Sequence, residues 1–156
     1  PLRASLEQLA AGTLQNFTFL GAQPHETVRD LMNRAKVFCV PSITVNSGAS
    51  EGFGMVFAEA QAMGLPVVSF QTGGIPEAVS HGETGFLAPE RDWDGLAEYI
   101  LCLMNNGELW QQFSNNGQRC VREKFNLADQ TCLLEDVYDR VLQGKLFCRG
   151  KNDTEC

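Results

Sequence analysis

GMVFAEAQAMGLPVVSF, residues 54–70, decides how the rest of the chain reads. From 54 to 63 the stretch is apolar except at Glu59 and Gln61. It is too long for a buried strand and too rich in alanine and methionine, so it reads as a buried helix ended by Gly64. Pro66 then introduces VVSF (67–70), a short apolar run suited to the inside of a parallel sheet. A helix, a glycine stop and a buried strand in succession indicate an α/β fold.

The alternation continues on both sides. Upstream, residues 2–11 place Leu2, Leu6 and Leu9 at helical spacing, and FTFL (17–20) is a β-type run closed by Gly21. A helical pattern over 24–35 carries Val28, Leu31 and Met32 on one face, and VFCV (37–40) stops at Pro41-Ser42. Residues 43–50 read as a loop. Downstream, Gly73-Gly74 turns the chain into a short helix at 76–79, and GFLA (85–88) is a fourth strand candidate. After Pro89 the segments 93–104, 109–121 and 127–142 are all helical in period. The expected fold is a Rossmann-like, mostly parallel sheet flanked by helices, over residues 1–145, with a tail at 146–156 that frays. Ligands of such sheets bind beyond the carboxyl ends of the strands, here the loops after Leu20, Val40 and Phe70.

Composition narrows the function. A chain of 156 residues with 44% apolar and 20% charged side chains suits one soluble domain. The net charge of −7 argues against a nucleic-acid or membrane-surface binder, which needs a basic patch. No run approaches the ~18–20 apolar residues of a membrane span. Cys39, Cys102, Cys120, Cys132, Cys148 and Cys156 include no CxxC pair and have no histidine nearby, so they read as free thiols in a reducing, cytoplasmic setting.

Within the deciding stretch and just before it, EGFGMVFAE (51–59) holds two glutamates around seven glycine or apolar residues. Glycine supplies turns and close backbone approach, which puts Glu51 in a loop, residues 52–54 at a helix start and Glu59 in the second turn. The free N–H groups around residues 53–56 would then form an anion site without a basic side chain. Glu59, among Val56, Phe57, Ala58, Ala60, Ala62 and Met63, is expected to need a partner, because burying an unpaired carboxylate is costly. A ligand hydroxyl pair, an arginine or a backbone cap would each serve.

Residues 40–87 resemble the C-terminal domain of family 4 retaining glycosyltransferases of the GT-B fold. The resemblance rests on the E-x7-E pair (Glu51, Glu59), the AxGxPVV run (62–68), GGIPE (73–77) and the G-x-T-G-F-L turn (82–87). It extends back through FTFLGAQP and forward through the helical tail, over roughly residues 1–142. It implies the donor-binding half of an enzyme of hexosyltransferase type that moves a sugar from a nucleotide-sugar to an acceptor. Glu51 would contact the donor sugar as the catalytic carboxylate, and Glu59 the ribose hydroxyls. Gly52 and the backbone amides around Phe53, Gly54 and Met55 would hold the diphosphate. Ala22 and Gln23 would lie against the base. No metal or other cofactor is implied.

The resemblance also implies parts that these residues do not contain. These are an Arg and a Lys upstream that pair with the diphosphate, the first strands of the sheet, and an N-terminal domain that binds the acceptor and closes the cleft. That domain could lie in the same chain or another, and could attach to a membrane periphery. A diphosphate held by backbone dipoles alone should bind weakly, so these residues alone are expected not to catalyse transfer. A non-catalytic nucleotide-sugar-binding or partner module is the alternative, and a sugar-nucleotide epimerase of the same fold a weaker one. Asp92-Trp93-Asp94 has the DxD form of a metal site, but it precedes a helical pattern where Asp is a preferred cap. His25 and His81 sit by turns and read as solvated. Glu77 reads as a favourable charge at the positive end of a short helix.

Overall fold

The computed structural model describes residues 2–143. The chain divides into two compact units, one up to Leu31 and one from Met32.

The first unit begins with α1 (Arg3–Thr13), whose Arg3 Nε donates to Glu7 one turn on at 2.7 Å. Arg3 Nη2 also donates to the Phe19 carbonyl at 3.1 Å, and the rings of Phe17 and Phe19 meet edge to face at 5.8 Å. The β-type run at 17–20 is not a strand. Phe17, Phe19 and Leu20 are exposed, and no neighbouring strand takes up the backbone groups of this run among the described residues. A β-pattern in sequence becomes a strand only where a partner satisfies its N–H and C=O groups. The division between the units falls inside α2 (His25–Arg34).

The second unit is built on a parallel sheet of three strands, β1 (Phe38–Val40), β2 (Val67–Phe70) and β3 (Gly85–Ala88), in the spatial order β1-β2-β3. Phe38 pairs with Val67 and Val67 with Gly85, which fixes the register. The crossovers contain α3 (Met55–Ala62) between β1 and β2, and α4 (Ile75–Ala78) between β2 and β3. The central strand is wholly buried, as its unbroken apolar sequence predicts. Strand alternation divides the core in two. Val67 and Leu87 join Phe57, Ala60, Leu65, Ile75, Ala78 and Val79 in one layer. Val68, Phe70 and Ala88 join Leu96, Leu103 and Phe113 in the other.

The remaining helices are α5 (Trp93–Asn105), α6 (Gly107–Lys124) and α7 (Leu127–Leu142). Each starts on a side-chain cap: Asp92 accepts from Gly95 N–H, Asn106 from Leu109 N–H, and Asn126 from Ala128 and Asp129 N–H. The cap at Asn106 starts α6 two residues earlier than the periodicity of 109–121 suggested. α6 passes close to α3 at Gly117, where an added Cβ would sit 3.3 Å from the Gln61 side chain. The expected fraying of residues 146–156 lies outside the described residues.

Candidate functional site

The carboxyl ends of the three strands open into the loop after β1, the turn after β2 and the segment after β3. The first of these carries Glu51, Gly52 and Phe53 into the start of α3. Gly54 caps that helix with φ 74°, a left-handed conformation, and a Cβ there would press on the Phe57 ring. Only glycine meets both demands without strain. The first helix amide to donate is Phe57 N–H, to Gly54 C=O at 2.9 Å. The N–H groups of Met55 and Val56 before it have no partner among the described residues. The expected helix start with unused amides is therefore present.

The loop is held from below by the turn after β2. Gly74 N–H donates to the Glu51 carbonyl at 2.9 Å. A Cβ on Gly73 would overlap that same carbonyl oxygen, and one on Gly74 would overlap the carbonyl oxygen of Gly52. The paired glycines thus let one backbone lie directly on another. The Phe53 ring, half-buried, anchors the loop against the core and against Phe125 at 5.2 Å. Glu51 is half-buried.

Glu59 differs from the expectation. Its helix is apolar in composition, but Glu59 lies on the exposed side with Met55, Val56 and Ala62, while Phe57, Ala58, Ala60 and Gln61 face inward. It is therefore not a buried carboxylate in need of a partner. The polar side chain that is buried in α3 is Gln61, whose Nε2 donates to the Phe57 and Ala78 carbonyls at 3.2 and 2.8 Å. Ala22 and Gln23 belong to the first unit, where both are exposed and Gln23 Nε2 donates to the Leu20 carbonyl at 2.6 Å. The structure thus places Glu51, Gly52, Phe53, Gly54 and Met55 together at the head of α3, with Glu59 one turn further along the exposed face of that helix. Ala22 and Gln23 do not follow a strand.

One group at this edge was not anticipated. Glu90, just past β3, receives Thr44 N–H on Oε1 at 2.9 Å and the Thr44 hydroxyl on Oε2 at 3.1 Å. Thr44 Oγ1 is also 2.9 Å from Thr72 Oγ1. The Thr44 amide bond holds the Glu90 carboxyl below its ordinary value; partial desolvation opposes the shift, and the Thr44 hydroxyl and Arg91 add to it. No local motif announces this cluster, because its three members come from three separate loops.

Other polar residues have structural employment. Asp92 caps α5 as expected, and Glu77 lies in the first turn of α4. His81 is exposed but not merely solvated: its Nδ1 accepts Leu87 N–H at 2.9 Å, and its ring meets Phe86 and Tyr99. Cys39, Cys102, Cys120 and Cys132 are free thiols. No helix among the described residues is long and apolar enough to cross a membrane. A polar cleft of about 350 Å³, lined by Ser80, Glu83, Asn116, Arg119 and Lys124 among others, lies by the segment that precedes β3. That is the amino end of β3; its lining takes Glu83 and Thr84 from the G-x-T-G-F-L turn and includes neither Glu51 nor Glu59. The carboxyl edge remains the better candidate, because loop backbone and helix amides converge there.

Comparison with known proteins agrees with this placement of the fold. Over 101 residues the chain is 41% identical to the amylovoran biosynthesis glycosyltransferase AmsK of Erwinia amylovora, covering 64% of this chain and 25% of that protein. Over 104 residues it is 35% identical to the GDP-mannose-dependent monoacylated alpha-(1-6)-phosphatidylinositol monomannoside mannosyltransferase of Corynebacterium glutamicum, covering 66% and 27% respectively. Among solved structures, sucrose-phosphate synthase from Thermosynechococcus elongatus superposes with a TM-score of 0.75 at 27% identity, over 91% of this chain and 35% of that one. The chain thus spans about a quarter to a third of the length of these relatives, and its sheet and helices are part of a GT-B fold. The family described as glycosyl transferases group 1 matches residues 2–120, and the chain belongs to that family.

Proposed function

We propose that this chain is the donor-binding portion of a retaining glycosyltransferase that moves a sugar from a nucleoside-diphosphate sugar to an acceptor. The observation that carries the proposal is the arrangement at the head of α3. Glu51 is presented by a loop clamped on Gly73 and Gly74, and the Met55 and Val56 amides are unused at a helix start. Helix-start amides favour an anion such as a diphosphate. Glu51 would meet the donor sugar, and Glu59, exposed on the same helix, would accept hydrogen bonds from the ribose hydroxyls. That a relative is named as GDP-mannose-dependent supports a nucleotide-sugar donor.

The reaction is proposed to need no metal. The carboxylate of Asp92 is engaged by Gly95 N–H, which supports a capping role for the DxD-like triplet. The site holds the donor through amides and carboxylates only, so cations from elsewhere in the complete polypeptide are needed to balance the diphosphate charge. On this reading the chain by itself does not catalyse transfer. The enzyme is assigned to the cytoplasm.

The test is titration of the complete polypeptide with UDP, GDP and ADP, followed by nuclear magnetic resonance of the product formed from the matching nucleotide-sugar. Binding of one diphosphate and a product with the donor's anomeric configuration are expected. No binding of any of the three would end the donor reading, and an inverted product would end the retaining assignment.

A further inference from the structure

The two ends of the loop that delivers Glu51 are tethered differently. At its far end the Glu51 carbonyl is fixed by Gly74 N–H. At its near end Thr44 is bound by Glu90 and Thr72. Between them the chain closes on itself, with Val45 N–H donating to Ala49 C=O at 3.0 Å and Gly48 N–H to Val45 C=O at 2.8 Å.

We propose that Glu90 is a positioning residue for donor-sugar recognition: through Thr44 it locks the loop that presents Glu51. The inference rests on the function proposed above and adds a residue that the E-x7-E pattern does not contain. The direction of the hydrogen bonds follows from the chemistry. An ionised carboxylate only accepts, so the Thr44 hydroxyl must donate to Glu90 and accept from the Thr72 hydroxyl. The relay therefore runs from Thr72 through Thr44 to Glu90, with the Thr44 amide as a second, parallel bond. It joins the loops after all three strands. Two bonds from one residue to both oxygens of a charged acceptor are stronger and more directional than neutral ones.

Arg91 Nε stands 3.7 Å from Glu90 Oε1, but its side chain is well exposed, so it contributes little to holding the loop. Glu90 and Thr44 are separable. If Glu90 instead touched the ligand itself, removing the Thr44 hydroxyl would leave sugar recognition intact. If it acts as a latch, Thr44→Val and Glu90→Ala must have the same phenotype.

The experiment uses the complete polypeptide in five forms: wild type, Glu90→Gln, Glu90→Ala, Thr44→Val and Thr44→Ser. Hydrogen exchange of the amides at 43–51 is read without ligand. Affinity for UDP, GDP, UDP-glucose and GDP-mannose is read by titration. Glu90→Ala and Thr44→Val are expected to speed exchange at 43–51 about tenfold, with the β2 amides unchanged. The same variants should leave diphosphate affinity within about twofold while weakening the matching nucleotide-sugar about tenfold. Thr44→Ser, which restores the hydroxyl, should behave as wild type. Glu90→Gln, which keeps one acceptor oxygen, should fall between.

Unchanged exchange at 43–51 overturns the latch, whether or not any nucleotide binds. Faster exchange with sugar affinity intact overturns its role in recognition. Equal losses for diphosphate and nucleotide-sugar would show general damage to the site, and also overturn it. A wild type that binds none of the four ligands refutes the donor reading and this role in recognition, while exchange still decides whether the latch exists.

Discussion

At the scale of single residues, the site depends on positions where only one side chain fits. Gly54 is the plainest: replacing it with alanine forces a Cβ into a left-handed conformation and onto the Phe57 ring. Gly54→Ala should destabilise the fold by about 1–2 kcal/mol or more in urea denaturation. A variant as stable as wild type would mean that the helix start is built differently. Asp92→Ala removes the cap of α5 and should cost about 1 kcal/mol in the same assay. Glu90 makes a pH prediction. Its folded-state value is lowered, so its contribution is fully present above the unfolded value and is lost as pH falls through the folded one. The stability gap between wild type and Glu90→Gln should therefore close as pH drops below the ordinary carboxylate range. A gap that stays constant down to the acid transition would contradict the assigned hydrogen bonds.

At the scale of elements, the sequence was readable wherever local pattern and tertiary need coincide. VVSF is a strand because an unbroken apolar run can be buried on both faces, and it became the central strand. Residues 54–63 became α3 because Gly54 and Gly64 punctuate both ends. FTFL carries as strong a β-pattern, but no strand lies beside it among the described residues, and pattern alone supplies no partner. Glu59 departs from the expected burial for a related reason. Apolar composition does not reveal which helix face meets solvent, and in α3 that face carries Met55, Val56 and Glu59. The Thr44–Thr72–Glu90 cluster was invisible because its residues are distant in sequence and meet only when three loops converge. A test at this scale is Phe57→Ala. Its ring is fully buried between α3 and the sheet, so the change should cost about 3–5 kcal/mol and unfold the helix start with it. A loss under about 1 kcal/mol would mean that α3 is not packed as described.

At the scale of the whole molecule, the chain belongs to a glycosyltransferase family but spans only 25% to 35% of the three relatives described. On the proposed function, its fold would supply one wall of a donor site: a carboxylate loop, a helix start and a second carboxylate on the same helix. A net charge of −7 does nothing to attract a diphosphate, so the proposed function calls for cations from outside these residues. In the proposed function, Glu59 reads the ribose of a nucleotide-sugar donor. The direct measurement is a titration cycle on the complete polypeptide, wild type against Glu59→Gln, with whichever of UDP, GDP and ADP binds and with its 2′-deoxy analogue. Glu59→Gln is expected to weaken the ribonucleotide about tenfold or more, and the variant should no longer distinguish the deoxy analogue. Equal affinity of wild type and Glu59→Gln for all three diphosphates would contradict it.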